Sequence, residues 1–293
     1  MIPMDLSGKI ALVTGVGDNE SFAWFIAKAL QAAGAKIILA CHPRMLGIVE
    51  SFLSREQDAP SRVLPFGAGD FKVEKCIPMD ARFDTMKDVD AETLADKRFN
   101  KHGDFSIEHA VTTAGKMFGG IDIVIHAMAF SREIKKKMIE TSRAAYFEAL
   151  GISAYSLTSL LHYAEPFMTD RPGGAAAVGL TYLGGSRVVP HYGGGMSTAK
   201  AALQIDAAQL SHNLGTKNIR VNLISAGPYA SRAAKGIGDI QNMIDYAAHR
   251  SPLPRGIEAE EVANTTVFLC SPLASAITGQ TIYVDCGYNS MGV

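Results

Sequence analysis

Tyr182, Tyr192 and Lys200 are the side chains best suited to chemistry, and they fall at spacings of ten and eight residues. A phenol held in place can donate a hydrogen bond to an oxygen on which negative charge develops, and a nearby ammonium makes the local potential positive. Lys200 lies in an alanine-rich run, residues 197–203, that reads as a helix, and the apolar residues 175–180 read as a buried strand leading in. The group therefore sits at a strand-to-helix junction, the edge of an open α/β sheet where ligands bind. One helical turn before Lys200 stands Met196, whereas Tyr192 is set apart from the helix by Gly193, Gly194 and Gly195. Three glycines extend a helix poorly, so Tyr192 is expected to reach in from a loop.

Such a junction needs a sheet behind it. Residues 9–14 form a short apolar run, followed by Gly15, Gly17 and the helix-compatible residues 21–33. Strand, glycine turn and helix open a dinucleotide-binding βαβ unit, in which Gly15 permits the tight turn and the helix N-terminus offers N–H groups to a pyrophosphate. The full glycine pattern of that motif is absent, Ser21 and Ala23 standing further on, and an ordinary βα turn fits the same residues. Residues 36–41 give a second strand, whose exit, Cys41-His42-Pro43-Arg44, lacks the carboxylate that usually holds an adenosine ribose. Arg44 there suits either a 2′-phosphate or plain solvation at the start of a helix, and His42 either stacks on an adenine or caps the strand. Asp80, closing a strand at 77–80, could accept from an adenine amino group or serve as a turn aspartate.

Residues 81–106 are polar, charge-rich and without period, and read as a surface insertion. A helix at 107–118 leads to a strand at 121–126, whose exit carries small residues and then Phe130, placed to wall a pocket. Tyr146, Tyr155 and Tyr163 lie on a long helical stretch, 141–168, as core or interface aromatics. After the sixth strand, 218–224, Gly227-Pro228 fixes a rigid turn with exposed backbone groups suited to a carboxamide. Residues 229–250 are helix-permissive but broken by Gly236 and Gly238, as suits a flap over a substrate. A helix at 258–269 and a strand at 281–285 finish the chain. The alternation predicts one α/β domain spanning 1–293, a Rossmann-like doubly wound parallel sheet of about seven strands flanked by helices.

Composition agrees with a large core, being 47% hydrophobic, and the 28 basic and 29 acidic residues leave no net field for nucleic acid. No apolar run approaches the roughly 18 residues of a membrane span. Four widely spaced cysteines show no metal-ligand spacing and suit reduced thiols in a cytosol-like compartment. The chain enters its first strand by Lys9, so a signal or transit peptide is expected to be lacking or already removed.

Taken in order, these motifs resemble the short-chain dehydrogenase/reductase superfamily and, within it, the enoyl-acyl-carrier-protein reductases of the longer, plant-like branch. The resemblance runs nearly the whole length. It is carried by Gly15 with Ser21 and Ala23; by His126-Ala127-Met128-Ala129 in place of the superfamily's usual Asn-Asn-Ala-Gly; by the Tyr182, Tyr192 and Lys200 spacing; by Ile224-Ser225-Ala226-Gly227-Pro228; by Ser231-Arg232-Ala233-Ala234-Lys235; by the segment from Ser271 to Gly279; and by the insertion at 81–106.

The resemblance implies reduction of the trans-2 C=C bond of enoyl thioesters on acyl carrier protein, with NADH as donor, by a homotetramer in type II fatty-acid synthesis. It implies cytoplasmic residence in a bacterium, or an organelle stroma after removal of a transit peptide. Cofactor contacts are implied for Gly15, Ser21, Phe22, His42, Asp80, Ala81, Met128, Lys200, Tyr229, Ala230, Ser231, Arg232 and Ala233. Substrate contacts are implied for Phe130, Ser131, Tyr182, Tyr192 and Ile237, and no metal is expected. One departure is His42, where plant-like members place a tryptophan against the adenine.

In the superfamily's carbonyl reductases a tyrosine stands one turn before the lysine, where the ammonium depresses its pKa directly. Met196 holds that position here. A displaced Tyr192 suits an enolate oxygen better than a carbonyl. Tyr182 is expected to wall the acyl pocket and support proton delivery, and Lys200 to hold the nicotinamide ribose. A carbonyl reductase of the same superfamily and a non-catalytic nucleotide sensor are the competing readings.

Overall fold

The β-branched runs pair side by side as parallel strands in a computed structural model that describes residues 4–190, 192–235 and 240–292, and of Ala233 and Lys235 the backbone alone. The strands are β1 (Ile10–Thr14), β2 (Lys36–Cys41), β3 (Lys75–Pro78), β4 (Ile123–His126), β5 (Ala175–Thr181), β6 (Ile219–Ala226) and β7 (Thr281–Val284). They form one sheet in the order β3-β2-β1-β4-β5-β6-β7. Connections run outward in opposite directions from β1 and β4, which makes a crevice at the strand ends between them.

Both faces of the sheet are covered, so strand residues of both parities are buried. Ala11 and Val13 of β1 pack with Trp24, Ile26 and Leu30 of α1 (Phe22–Ala32) and with Val262 and Val267 of α8 (Ala259–Cys270). Ile10 and Leu12 face the other side, towards Val111 of α3 (Ile107–Phe118), Leu157 and Leu160 of α5 (Ser156–Met168) and Leu203 of α6 (Met196–Gly215). The remaining helices of eight or more residues among the described residues are α2 (Pro43–Ser54), α4 (Arg143–Leu150) and α7 (Ile240–Arg250).

Two segments depart from the sequence pattern. The stretch read as one helix over 141–168 starts at Arg143, capped by Ser142, and is interrupted between α4 and α5 by a π-helical turn, Gly151–Tyr155. Hydrogen bonds to distant backbone fix this turn: Ser153 Oγ accepts from Phe130 N–H at 2.9 Å and faces its carbonyl at 3.2 Å. The insertion at 81–106 is ordered rather than a bare surface excursion. It contains short helices Ala91–Ala95 and Lys97–Asn100 and its own buried cluster of Phe83, Val89, Phe99 and Phe105. Asp84 ties it to the body, accepting from Tyr155 Oη at 2.8 Å and Ser159 Oγ at 2.6 Å.

Candidate active site

The crevice is built on the exits of β1, β4, β5 and β6. Gly15, at φ +81, turns the chain directly against the exit of β4, and a Cβ there would collide with the Ala127 carbonyl. The glycine is thus demanded by a neighbouring strand as well as by any ligand. Ser21 caps α1, its Oγ accepting from Trp24 N–H at 3.4 Å, and the Phe22 ring packs on Tyr229 beyond β6 with centroids 4.9 Å apart. From this turn a cavity of about 890 Å³ extends past Met128, Phe130 and Ser131 to Tyr182, Tyr192, Met196 and Lys200.

Tyr182 follows β5 directly and meets Tyr192 edge to face, with ring centroids 5.0 Å apart and planes at 66°. Tyr192 is positioned from three directions. Its carbonyl accepts from Ser197 Oγ at 2.9 Å, its ring lies over Gly184, and the glycines after it are threaded against residues 131–136. Gly193 N–H donates to the Ile134 carbonyl at 3.0 Å, and Ser131 Oγ donates to the Gly194 carbonyl at 2.7 Å. Cβ atoms on either glycine would strike that strap, so only glycine permits the approach. Gly195, at φ +81, then starts α6 with Met196 as its first residue, buried and facing the cavity.

Lys200, one turn further, is 5% exposed, and its Nζ donates to the Leu180 carbonyl at 2.8 Å. An ammonium has three N–H bonds, so two remain to hold hydroxyl oxygens. Burial brings its pKa down to about 8. Burial pushes both phenols up, Tyr182 and Tyr192 alike, so each is a protonated hydrogen-bond donor at neutral pH.

The structure brings Gly15, Ser21, Phe22, Met128, Phe130, Ser131, Tyr182, Tyr192, Lys200, Tyr229 and Ser231 to this one cavity. Arg232, which opens the short helix Arg232–Lys235, and Ala230, in the loop before it, do not line the cavity, Ala233 has only its backbone described, and Ile237, with Gly236 and Gly238, falls outside the described residues. His42, Asp80 and Ala81 stand apart from the cavity lining. His42 is held by the protein: its Nδ1 accepts from Arg44 N–H at 3.2 Å, capping α2, and its ring stands edge-on to Phe99 at 5.4 Å. Asp80, read as an adenine acceptor, is 3% exposed and turned onto Arg82, whose Nε and Nη2 donate to its Oδ2 at 3.0 and 2.8 Å. Its carboxyl is held at about 2; burial pushes the other way but is outweighed by the His42 and Arg82 hydrogen bonds.

Sequence reasoning passed over the strap from Arg132 to Lys136, which walls the cavity through Ile134, Lys135 and Lys136. It used His126 as a motif residue and gave it no role in the site. With Ser156 Oγ donating to the Ile152 carbonyl at 2.7 Å, the buried His126 ring presents Nε2–H to that oxygen at 2.8 Å. Burial and then the Lys200 charge lower its pKa to about 3, so it stays neutral.

A dinucleotide fits this donor set: a glycine turn and helix N-terminus at one end, a buried ammonium with free N–H bonds at the other, and the Gly227-Pro228 turn alongside. Residues 90–289 match the family model described as enoyl-(acyl carrier protein) reductase. Over 293 residues the chain is 46% identical to the chloroplastic enoyl-[acyl-carrier-protein] reductase [NADH] of Arabidopsis thaliana, covering 100% of this chain and 74% of that one. The chain belongs to the enoyl-acyl-carrier-protein reductase family.

Among solved members of this reductase family, the Plasmodium berghei enzyme with triclosan superposes with a TM-score of 0.92 at 38% identity, covering 97% of this chain and 99% of that one. The Anaplasma phagocytophilum reductase in complex with NAD gives 0.79 at 33% identity, over 98% and 96%. The resemblance read from the motifs holds, and so does the doubly wound, seven-stranded fold.

Proposed function

We propose that this reductase transfers hydride from NADH to the trans-2 C=C bond of an enoyl thioester carried on acyl carrier protein, as the final reduction of type II fatty-acid elongation. The observation that carries the reading is the arrangement around Lys200. The turn before it holds buried Met196, and the phenol that a carbonyl reductase would keep there is delivered instead by Tyr192, from the loop that ends in Gly193, Gly194 and Gly195.

NADH, when bound, supplies the hydride, which adds to the β-carbon. Negative charge then appears on the thioester oxygen as an enolate, and its α-carbon takes a proton from solvent to complete the saturated thioester. Tyr192, a protonated phenol fixed by its neighbours, donates a hydrogen bond to that oxygen and needs no reorganisation as charge develops. Lys200 holds the nicotinamide ribose hydroxyls with its two remaining N–H bonds and biases the local potential towards the enolate. Tyr182 packs against Tyr192, limits its rotation and walls the acyl chain together with Phe130. Gly15, Ser21 and Phe22 receive the pyrophosphate end, and the 229–235 segment with Met128 closes on the nicotinamide side.

The carrier-protein partner and a homotetrameric assembly belong to the same reading, as does residence in a plastid stroma or a bacterial cytoplasm. Plant relatives are named chloroplastic, and among the described residues no helix is long and apolar enough to cross a membrane. Purified protein given NADH and crotonyl thioester should lose absorbance at the nicotinamide band. Turnover of acetoacetyl but not crotonyl thioester would make it a carbonyl reductase, and nucleotide binding without any turnover would make it a sensor. Sedimentation at a tetramer's mass checks the assembly.

A further inference from the structure

The exit of β2 carries no carboxylate, although a dinucleotide site usually reads the adenosine ribose with one there. In space, one arrives from elsewhere. Asp96, in the 81–106 insertion, places Oδ2 3.2 Å from Nη2 of Arg44, the second residue of α2. The same guanidinium lies over the Phe99 ring, 5.0 Å from its centroid, and Phe99 is anchored in the insertion's buried cluster. The insertion therefore grips Arg44 by its charge and by its face. The next residue, Met45, reaches to 3.8 Å from where a Cβ on Gly17 would lie, so the first turn of α2 stands beside the glycine turn that opens the cleft. Asp96 is itself fixed: its Oδ1 accepts from Arg98 N–H at 2.8 Å, capping the short helix, and its Oδ2 accepts from Arg98 Nη2 at 2.7 Å. Of the other nearby guanidiniums, Arg98 points onto Asp96 itself and Arg82 is taken by Asp80 at 2.8 Å.

We propose that Asp96 sets the preference for NADH over NADPH by occupying the guanidinium of Arg44, the cation placed to meet a 2′-phosphate. This rests on the cofactor reading above. Arg44 sits where superfamily folds receive a 2′-phosphate. A phosphate at this end of the cleft must break the Arg44–Asp96 pair and then lie beside a carboxylate, whereas a ribose hydroxyl is neutral and does neither. Removing the Asp96 charge frees Arg44 to make charge-assisted bonds to phosphate oxygens.

The test is calorimetric titration of adenosine 5′-monophosphate and adenosine 2′,5′-bisphosphate into the wild type, Asp96→Asn, Asp96→Ser and the double variant Asp96→Ser/Arg44→Ala. Asparagine and serine both cap helices, so each substitution keeps the local fold, and Asp96→Asn is read alone if the serine variant does not fold. The wild type should bind the monophosphate more tightly than the bisphosphate. Each Asp96 variant should bind the bisphosphate about tenfold more tightly than the wild type does, and Arg44→Ala should erase the gain. The kcat/KM for NADPH relative to NADH should rise in step. Unchanged bisphosphate affinity in the Asp96 variants with the monophosphate still bound, or a gain that survives Arg44→Ala, would overturn the proposal. A wild type that binds neither nucleotide would overturn the cofactor reading beneath it.

Discussion

Burying the Lys200 ammonium should destabilise the cofactor-free protein by a measurable amount. Its pKa falls from 10.5 to about 8 on folding, with burial as the cause. Every tenfold loss of proton affinity corresponds to about 1.36 kcal/mol, so at neutral pH the buried charge costs about 3 kcal/mol. Between pH 8 and 10.5 the folded state binds fewer protons than the unfolded one, so this penalty fades as pH rises through that window.

Lys200→Met removes the charge and keeps the bulk, while leaving the Leu180 carbonyl without its donor, a pH-independent loss of about 1–2 kcal/mol. The variant should therefore be more stable than the wild type by about 1–2 kcal/mol near pH 7, and that difference should shrink by about 2 kcal/mol by about pH 9.5. Urea unfolding of both proteins at equal concentration, without nucleotide, reads the difference at each pH. A difference that stays constant with pH would refute the assignment of a charged, buried Lys200, whatever its sign. The same variant should lose most NADH binding, so stability and function move in opposite directions.

Other substitutions probe the supports. Gly193→Ala places a methyl group against the Lys136 carbonyl, displacing either Tyr192 or the strap, and kcat/KM should fall by about 10²-fold; a variant with wild-type kcat/KM would show that the strap does not position the phenol. His126, with its pKa near 3, should show nitrogen chemical shifts of a neutral Nε2–H ring that do not change between about pH 5 and about pH 8, and a titration in that range would contradict its burial against Lys200. Ser153→Ala removes the link from the π-helical turn to Phe130, so KM for the enoyl thioester should rise severalfold with little change in NADH affinity, as steady-state kinetics would show.

The parallel sheet was legible because β1, β2, β4 and β6 are short, branched and buried on both faces, which leaves continuous apolar runs in the sequence. The phenols and Lys200 stood out by residue type and spacing, since the triple glycine announces a helix that cannot extend back to Tyr192, and the family resemblance supplied the roles proposed for them. What stayed hidden depends on contacts between distant residues. Nothing local in the sequence links Asp96 to Arg44, and the phenylalanines of the insertion recur without a period, so their cluster exists only once the segment folds back. The π-helical turn adds a residue to a helix to satisfy Phe130, a demand made by another strand's exit. His42 and Asp80 have residue types suited to an adenine site, but each is engaged by protein partners.

The most direct measurement is Tyr192→Phe in steady-state reduction of crotonyl thioester, paired with NADH titration of the same protein. Removing only the phenol oxygen should lower kcat by about 10²–10³, the usual loss for one preorganised donor at a developing oxyanion, and leave NADH affinity close to that of the wild type. An intact kcat would mean that Tyr192 does not meet the enolate oxygen.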